Sequence, residues 1–161
     1  MTRINLVPSS ELMDQHLFAE FREIKMVPKS LRRSLEAGRN RYIKLYGNCS
    51  APSYPDKYAR THVLNCIPNA FTLNTGHVSF FYNKGVYLFH RYEQLRIELN
   101  KRGINFNKEA LLDPDCVFIN LDHNFNNDYT PTVEALHIIR TRISEKIALR
   151  PNWYRYYGEI K

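Results

Sequence analysis

The sequence predicts an all-α fold: a compact single domain of three main helices joined by long irregular connections. Apolar residues recur at helical spacing in three segments, at about 10–39, 85–102 and 131–149. The stretches between them are rich in Pro and Asn or in Asn and Asp, which are typical of loops. A chain of 161 residues is long enough for one core, so we expect one domain over 1–161.

The first predicted helix spans about residues 10–39. Five apolar residues form its inner stripe, namely Leu17, Phe21, Ile24, Leu31 and Leu35. Pro28 lacks an N–H and its ring clashes with the preceding turn, so we expect a bend close to Arg22 and Glu23. Gly38 is expected to end this helix.

The second and third predicted helices have clearer ends. The inner face of the second is Leu88, Tyr92, Leu95 and Leu99. Gly103 follows this helix as its C-terminal cap. The third begins with Thr130 as N-cap and Pro131 as its first residue. Its inner face is Leu136, Ile139, Ile143 and Ile147.

The two connections differ in character. Residues 40–70 contain three prolines together with basic and tyrosine side chains, and we expect a loop insertion there. Residues 104–129 are expected to wrap the core without regular structure.

The composition favours a polyanionic partner. The net charge is +7, and a basic single domain is typical of nucleic-acid-binding proteins, although a merely solvated basic surface gives the same count. Eleven tyrosines suit stacking on unpaired bases. No run approaches the ~18 apolar residues of a membrane span and no export leader is evident, so we expect no membrane partner.

The cysteines and histidines point away from metal chemistry. Cys49, Cys66 and Cys116 are odd in number and have no metal-ligand spacing, which favours reduced thiols in a cytoplasm. No HxxxH or HExxH motif occurs. We therefore expect no metal and no cofactor.

The N-terminus offers a nucleophile. If Met1 is removed, Thr2 presents a free α-amine with a reference pKa of about 7.7–8.0, so roughly a quarter of it is neutral at pH 7.4. A neutral amine can attack an electrophilic sugar carbon. Many chains begin Met-Thr, so this feature is weak by itself.

Three groups of residues could carry chemistry. His16 and Glu23 share one helix face and Gln15 and Arg22 the adjacent face, an arrangement suited to acid–base work at a sugar but also to an ordinary salt-bridged surface. Arg142 and Lys146, four residues apart, suit phosphates or simply face water. The tail from Arg150 to Gly158 interleaves aromatic residues with arginine, for base stacking or for packing on the core.

Together these segments resemble the pyrimidine-dimer DNA glycosylase/AP lyase family, of the T-even phage UV endonuclease type. The resemblance runs through the chain in order, over Met1–Leu6, Asp14–Leu17, Ala19–Glu23, Gly76–Tyr82, Arg142 with Glu145–Ala148, and Arg150–Gly158. Residues 40–70 and 104–129 have no clear counterpart.

The resemblance implies a metal-independent, mostly helical enzyme that acts on cyclobutane pyrimidine dimers in double-stranded DNA. Thr2 matches a residue whose α-amine attacks C1′ of the 5′ sugar and displaces the base, leaving an imine; β-elimination then breaks the strand. Glu23 matches the essential carboxylate. Positions that hold DNA around the lesion are matched by Arg3, Gln15, His16, Arg22, Arg142 and Lys146. The tail implicated in dimer recognition is matched by Trp153, Tyr154, Tyr156 and Tyr157.

The expected partner is therefore DNA containing UV photoproducts or abasic sites, bound by a monomer in the cytoplasm of a bacterial cell or phage-infected host. Met26 departs from the family pattern, which has a lesion-binding arginine there, and Lys25 replaces a proline. These departures leave two alternatives: the same imine chemistry on a different damaged or modified base, or a non-catalytic DNA-binding protein. The presence of both Thr2 and Glu23 argues against the second.

Overall fold

The computed structural model describes residues 4–47 and 53–160, and it confirms the all-α class. The elements, in chain order, are α1 (Asp14–Glu23), α2 (Met26–Tyr46), α3 (Tyr54–Asn65), α4 (Gly85–Lys101), α5 (Val133–Leu149), β1 (Arg155–Tyr156) and β2 (Glu159–Ile160). Single 3₁₀ turns lie at Ser9–Glu11, Ser79–Phe81 and His123–Phe125. No helix in the described part of the chain combines the length and apolar character needed to cross a membrane.

The first predicted helix is in fact two helices. The chain bends after Glu23 and resumes as α2 at Met26, so the break lies where the ring of Pro28 was expected to force it. The end at Gly38 was wrong. Gly38 is buried inside α2, where a Cβ atom would come within 3.0 Å of the Cβ of Ala59, and α2 continues to Tyr46.

Residues 40–70 are not a loop throughout. Their first part completes α2, and Tyr54–Asn65 form α3, which packs against α2. Pro55 stands in the first turn of α3, where its missing N–H costs nothing. The abundance of proline therefore marked a helix start, and the small residues Gly38 and Ala59 allow the two helices to approach closely.

The predicted inner face of α4 is confirmed, since all four of its residues are buried, but of the predicted inner face of α5 only Ile139 is buried. Gly103 follows α4 with φ of +70°. The start of α5 differs from the prediction: Thr132, not Thr130, is the N-cap, and its hydroxyl accepts a hydrogen bond from the amide of Ala135 at 3.1 Å. Residues 104–129 are irregular apart from one 3₁₀ turn, as predicted.

A buried ion pair ties the N-terminal segment into the core between α1 and α4. The Glu20 side chain is fully buried and that of Arg91 is 2% exposed, with Nε–Oε2 at 2.6 Å and Nη2–Oε1 at 3.0 Å. Glu20 also accepts a hydrogen bond from the amide of Asn5 at 2.9 Å, and Arg91 donates one to the carbonyl of Val7 at 2.6 Å. Each partner of the pair therefore also holds the segment that leads to the N-terminus.

The C-terminal tail forms a two-stranded antiparallel hairpin. Arg155 pairs with Ile160 and Tyr156 with Glu159, and the two turn residues, Tyr157 and Gly158, both have positive φ. The Asp14 carboxylate accepts hydrogen bonds from the amides of Tyr157 and Gly158, at 3.1 and 2.8 Å. The tail is thus fixed at the start of α1.

Replacing Glu20 by Gln should lower the free energy of unfolding by about 3–5 kcal/mol, because it leaves the Arg91 charge buried without its counterion. Urea denaturation at pH 7 measures this change. The matched control is Glu93→Gln, which removes an exposed pair with Arg96 and should change stability by no more than about 0.5 kcal/mol. Equal effects of the two substitutions would contradict the role given to the buried pair.

Candidate functional site

A cavity of about 160 Å³ lies where α1, α5 and the N-terminal segment meet. Its lining residues are Asn5, His16, Ala19, Glu20, Glu23, Ile139, Arg142, Ile143 and Lys146. Four of the residues predicted from sequence, His16, Glu23, Arg142 and Lys146, are therefore brought to one cavity by two helices that lie more than a hundred residues apart. The Glu23 carboxylate from α1 shares this space with two cations from α5.

The N-terminal segment reaches the cavity at Asn5. Thr2 and Arg3 lie outside the described residues, and the described chain begins at Ile4. The Ile4 amide donates to Nε2 of His77 at 2.9 Å, and Nδ1 of that ring lies 2.8 Å from the carbonyl of Thr72. His77 therefore holds the backbone just after the predicted nucleophile.

His16 is uncharged at neutral pH. Burial, and secondarily the charge of Lys146, lower the pKa of His16 to about 4. The ring packs on Tyr154 with centroids 4.6 Å apart, and neither ring nitrogen has a hydrogen-bond partner within the described residues. A neutral imidazole with both nitrogens unsatisfied is suited to hydrogen bonding with a substrate, and unsuited to charge attraction for phosphate.

The basic residues around the cavity extend beyond its lining. Arg142 lies 3.8 Å from Glu145 and is partly buried. Arg22 is exposed, does not line the cavity, and lies over the ring of Phe18 at 5.8 Å. Arg22, Lys25 and Lys29 lie at or near the α1–α2 break. Burial, followed by the charges of Lys29 and Arg22, lowers the pKa of Lys25.

The predicted aromatic tail divides into two parts. Tyr154 reaches His16, and Trp153 is 43% exposed and stacks with the guanidinium of Arg150 at 4.1 Å. Gln15, predicted to contact DNA, instead uses both ends of its amide on the tail backbone: it donates to the carbonyl of Trp153 at 2.8 Å and accepts from the amide of Arg155 at 2.9 Å. In this structure Gln15 positions the tail.

Tyr156 and Tyr157 are not brought to the cavity. Both rings pack on the buried guanidinium of Arg102, at 4.7 and 4.8 Å. Their hydroxyls donate to the carbonyl of Ser10 at 2.9 Å and to Glu98 at 3.0 Å. Arg102 also pairs with Asp14 and Glu98, so it joins α4, α1 and the tail.

Sequence reasoning missed the residues that support the site: Glu20, Arg91, His77 and Arg102. A signal for the buried pair was present. Glu20 falls on the apolar stripe between Leu17 and Phe21, and Arg91 falls beside Leu88 on the inner face of its helix. A charge at an inward position of each of two helices predicts a buried ion pair. In the described ranges, no group of three or more His, Cys, Asp or Glu side chains is arranged to hold a metal ion.

The pKa of His16 has a consequence for stability. Between pH 6.5 and about 4 the unfolded chain protonates His16 while the folded protein does not, so the unfolded state binds more protons and stability falls as the pH falls through this window. Replacing His16 by Asn should remove the part of this fall in stability that comes from protonation of His16. Urea midpoints at several pH values between 7 and 4 measure the difference between the two proteins.

The matched control for this comparison is His90→Asn, at an exposed position on α4 that should leave the wild-type pH dependence unchanged. Parallel curves for wild type and His16→Asn would show that the burial of His16 does not control its protonation.

The chain was compared with models of known protein families. A family model described as pyrimidine dimer DNA glycosylase matches residues 1–112 of the 161. The matched part includes the N-terminal segment, α1 with Glu23, and the buried Glu20–Arg91 pair; α5 and the tail lie beyond it. With 112 of its residues matched, the chain belongs to the pyrimidine dimer DNA glycosylase family.

Proposed function

We propose that this protein excises cyclobutane pyrimidine dimers from double-stranded DNA through the α-amine of Thr2, and then cleaves the strand as an AP lyase. The observation that carries the proposal is the cavity that Glu23 shares with Arg142 and Lys146, next to the pinned N-terminal segment. Three peptide units separate Thr2 from Asn5, so the covalent chain limits the distance between their Cα atoms to about 11 Å. Asn5 lines the same cavity as Glu23, and this short covalent link supports the pairing of the Thr2 amine with that carboxylate.

The chemistry needs a neutral amine and an anionic carboxylate. The amine nitrogen of Thr2 bonds to C1′ of the sugar as the bond from C1′ to the base breaks, and the base leaves with the bonding electrons. The nitrogen loses a proton, and the sugar ring then opens as its oxygen takes up a proton, which gives a protonated imine at C1′. Removal of a proton from C2′ then forms the C2′–C3′ double bond and expels the 3′ phosphate by β-elimination. Glu23 stabilises the positive charge that develops on the sugar and receives or returns the protons.

The other cavity residues suit the binding of DNA around this reaction. Arg142 and Lys146 provide positive charge for the phosphates that flank the lesion. His16 is neutral, so it can hydrogen-bond to the sugar or base without adding a further cation beside the amine.

A purely DNA-binding protein explains this cavity less well. A carboxylate facing a phosphate backbone weakens binding through repulsion, and Glu23 is placed among the cations that would contact it. Met26 is exposed and departs from the expected lesion-binding arginine. The same chemistry on another damaged base is therefore the alternative that the experiments below address.

Replacing Glu23 by Gln should reduce strand cleavage at a single thymine dimer by at least about 100-fold, because an amide can neither accept the proton nor balance the sugar charge. DNA affinity should stay the same or rise, since a negative charge near the phosphates is lost. Single-turnover cleavage and fluorescence anisotropy measure the two quantities. Glu36→Gln, which changes an exposed carboxylate on α2, is the control and should cleave normally. Full cleavage by the Glu23 variant would refute the assignment.

Blocking the N-terminus should abolish a covalent adduct. We expect borohydride to trap the Met1-processed protein on duplex DNA with a thymine dimer and on duplex with an abasic site, and not on undamaged duplex. A variant with an uncleaved N-terminal extension should give no adduct on either. An adduct on the abasic duplex alone would favour a different base substrate.

Lys84 provides the control for the identity of the amine. Burial lowers the pKa of its ammonium group to about 8, so it is a second amine with a substantial neutral fraction, although it does not line the cavity. Lys84→Gln should still form the adduct with damaged DNA. If this substitution removes the adduct while the extended protein retains it, the nucleophile is Lys84 and the proposal fails.

A further inference from the structure

A second cavity lies outside the candidate site, in the cleft between α2, α3 and the turn at Ser79–Phe81. Its volume is about 380 Å³. The wall from α2 is built from small residues, including Ser34 and Gly38, followed by Arg41 one turn later. The opposite wall is contributed by His62 and Cys66, at the end of α3. This cleft exists because Gly38 and Ala59 bring the two helices together.

The polar groups of this cleft are those that bind anions. Arg41 is exposed and forms no ion pair within the described residues. The hydroxyls of Ser34 and Tyr82 both line the cleft and lie 3.4 Å apart, and Tyr82 also shares a hydrogen bond with Ser30 at 2.5 Å. None of the described lining residues is acidic. A guanidinium, hydroxyls and an imidazole with no carboxylate among them suit a phosphate.

The cleft lies along the helix that leaves the candidate site. Met26, Ala37 and Arg41 are separated by 11 and 4 residues, so they share one side of α2 at its helical period. Met26, the first of these residues, lies three positions after Glu23 in the sequence. Arg32, by contrast, lies nine residues before Arg41, on the opposite side, where it pairs with Asp115 at 2.9 Å. A duplex held at Glu23 and running along α2 would therefore meet Arg41 on the side away from this acidic residue.

We propose that this cleft is a second DNA-contact site, in which Arg41 and the hydroxyls of the α2–α3 pair bind a backbone phosphate of the duplex that flanks the lesion. The site extends the footprint of the enzyme through a helix that sequence reasoning took for a loop. The inference rests on the proposed function, since it takes DNA as the partner. It concerns binding away from the reacting sugar and can fail while the chemistry at Thr2 and Glu23 holds.

Salt dependence of binding tests the phosphate contact. Each phosphate contact contributes about 0.9 to the slope of log K against log salt concentration, so Arg41→Gln should reduce the slope for undamaged duplex by about that amount. Lys57→Gln is the matched control: this exposed lysine lies on α3 nine residues before Cys66 and so on the opposite side from the cleft. The control should keep the wild-type slope. Unchanged slopes for both variants, or equal losses, would overturn the proposal.

The thiol of Cys66 lines the cleft, so its rate of alkylation can measure whether the cleft is occupied. Cys66 is exposed there, with its Sγ 3.8 Å from Nε2 of His62, and Cys116 is exposed next to Asp115 on the opposite side of α2. In the full chain carrying Cys49→Ser, saturating undamaged duplex should slow alkylation of Cys66 several-fold and leave that of Cys116 unchanged. Arg41→Gln should remove the protection. Alkylation of Cys66 at the same rate with and without bound duplex would overturn the proposal.

Two further measurements separate the remaining explanations. Inorganic phosphate and adenosine monophosphate are added in place of DNA; protection of Cys66 by either one, without protection by duplex, would show a small-ligand site and overturn the assignment to DNA. Binding of undamaged duplex by the wild-type protein is measured alongside. Loss of all duplex binding by the wild-type protein would instead reject the proposed function, and this inference with it.

Discussion

The buried pair of Glu20 and Arg91 is the interaction on which the rest of the structure depends. Two charges inside a core are stable only when their remaining hydrogen-bonding capacity is also satisfied, and here it is satisfied by the backbone at Asn5 and Val7. Burial acts to lower the pKa of Arg91, but the charge and hydrogen bond of Glu20 outweigh it and raise that pKa. The pair thus fixes the N-terminal segment at Asn5 and Val7, and the reaction proposed for the terminal amine requires this segment to be positioned.

The chemistry of the candidate site follows from burial and charge together. Desolvation keeps His16 neutral, while Glu23 shares the same cavity with the cations Arg142 and Lys146. The Glu23 carboxylate and a neutral imidazole therefore line one cavity together with two cations. Under the proposed function this division separates the roles of the two helices: the α5 cations attract DNA and the α1 groups act on the sugar.

The C-terminal tail shows that one motif can carry two structural roles. Arg102 takes up Tyr156 and Tyr157, and Gln15 fixes the backbone on both sides of Tyr154. Tyr154 and Trp153 remain on the side of the tail nearer the cavity. The aromatic composition of this segment indicated stacking, but composition cannot distinguish stacking on a base from stacking on the guanidinium of the same protein, since both use the same ring surface.

The sequence by itself determined the all-α class, the inner faces of α1 and α4, the bend before α2, and four residues that line the candidate cavity: His16, Glu23, Arg142 and Lys146. These follow from local rules: apolar periodicity, the covalent constraints of proline, and side chains whose chemistry is intrinsic. Only the tertiary structure decided that residues 54–65 form a helix, that Gly38 lies within α2, and that Gln15 and Arg102 hold the tail. Each of these depends on a partner distant in sequence, such as Ala59 against Gly38, and local spacing carries no information about which distant surfaces meet.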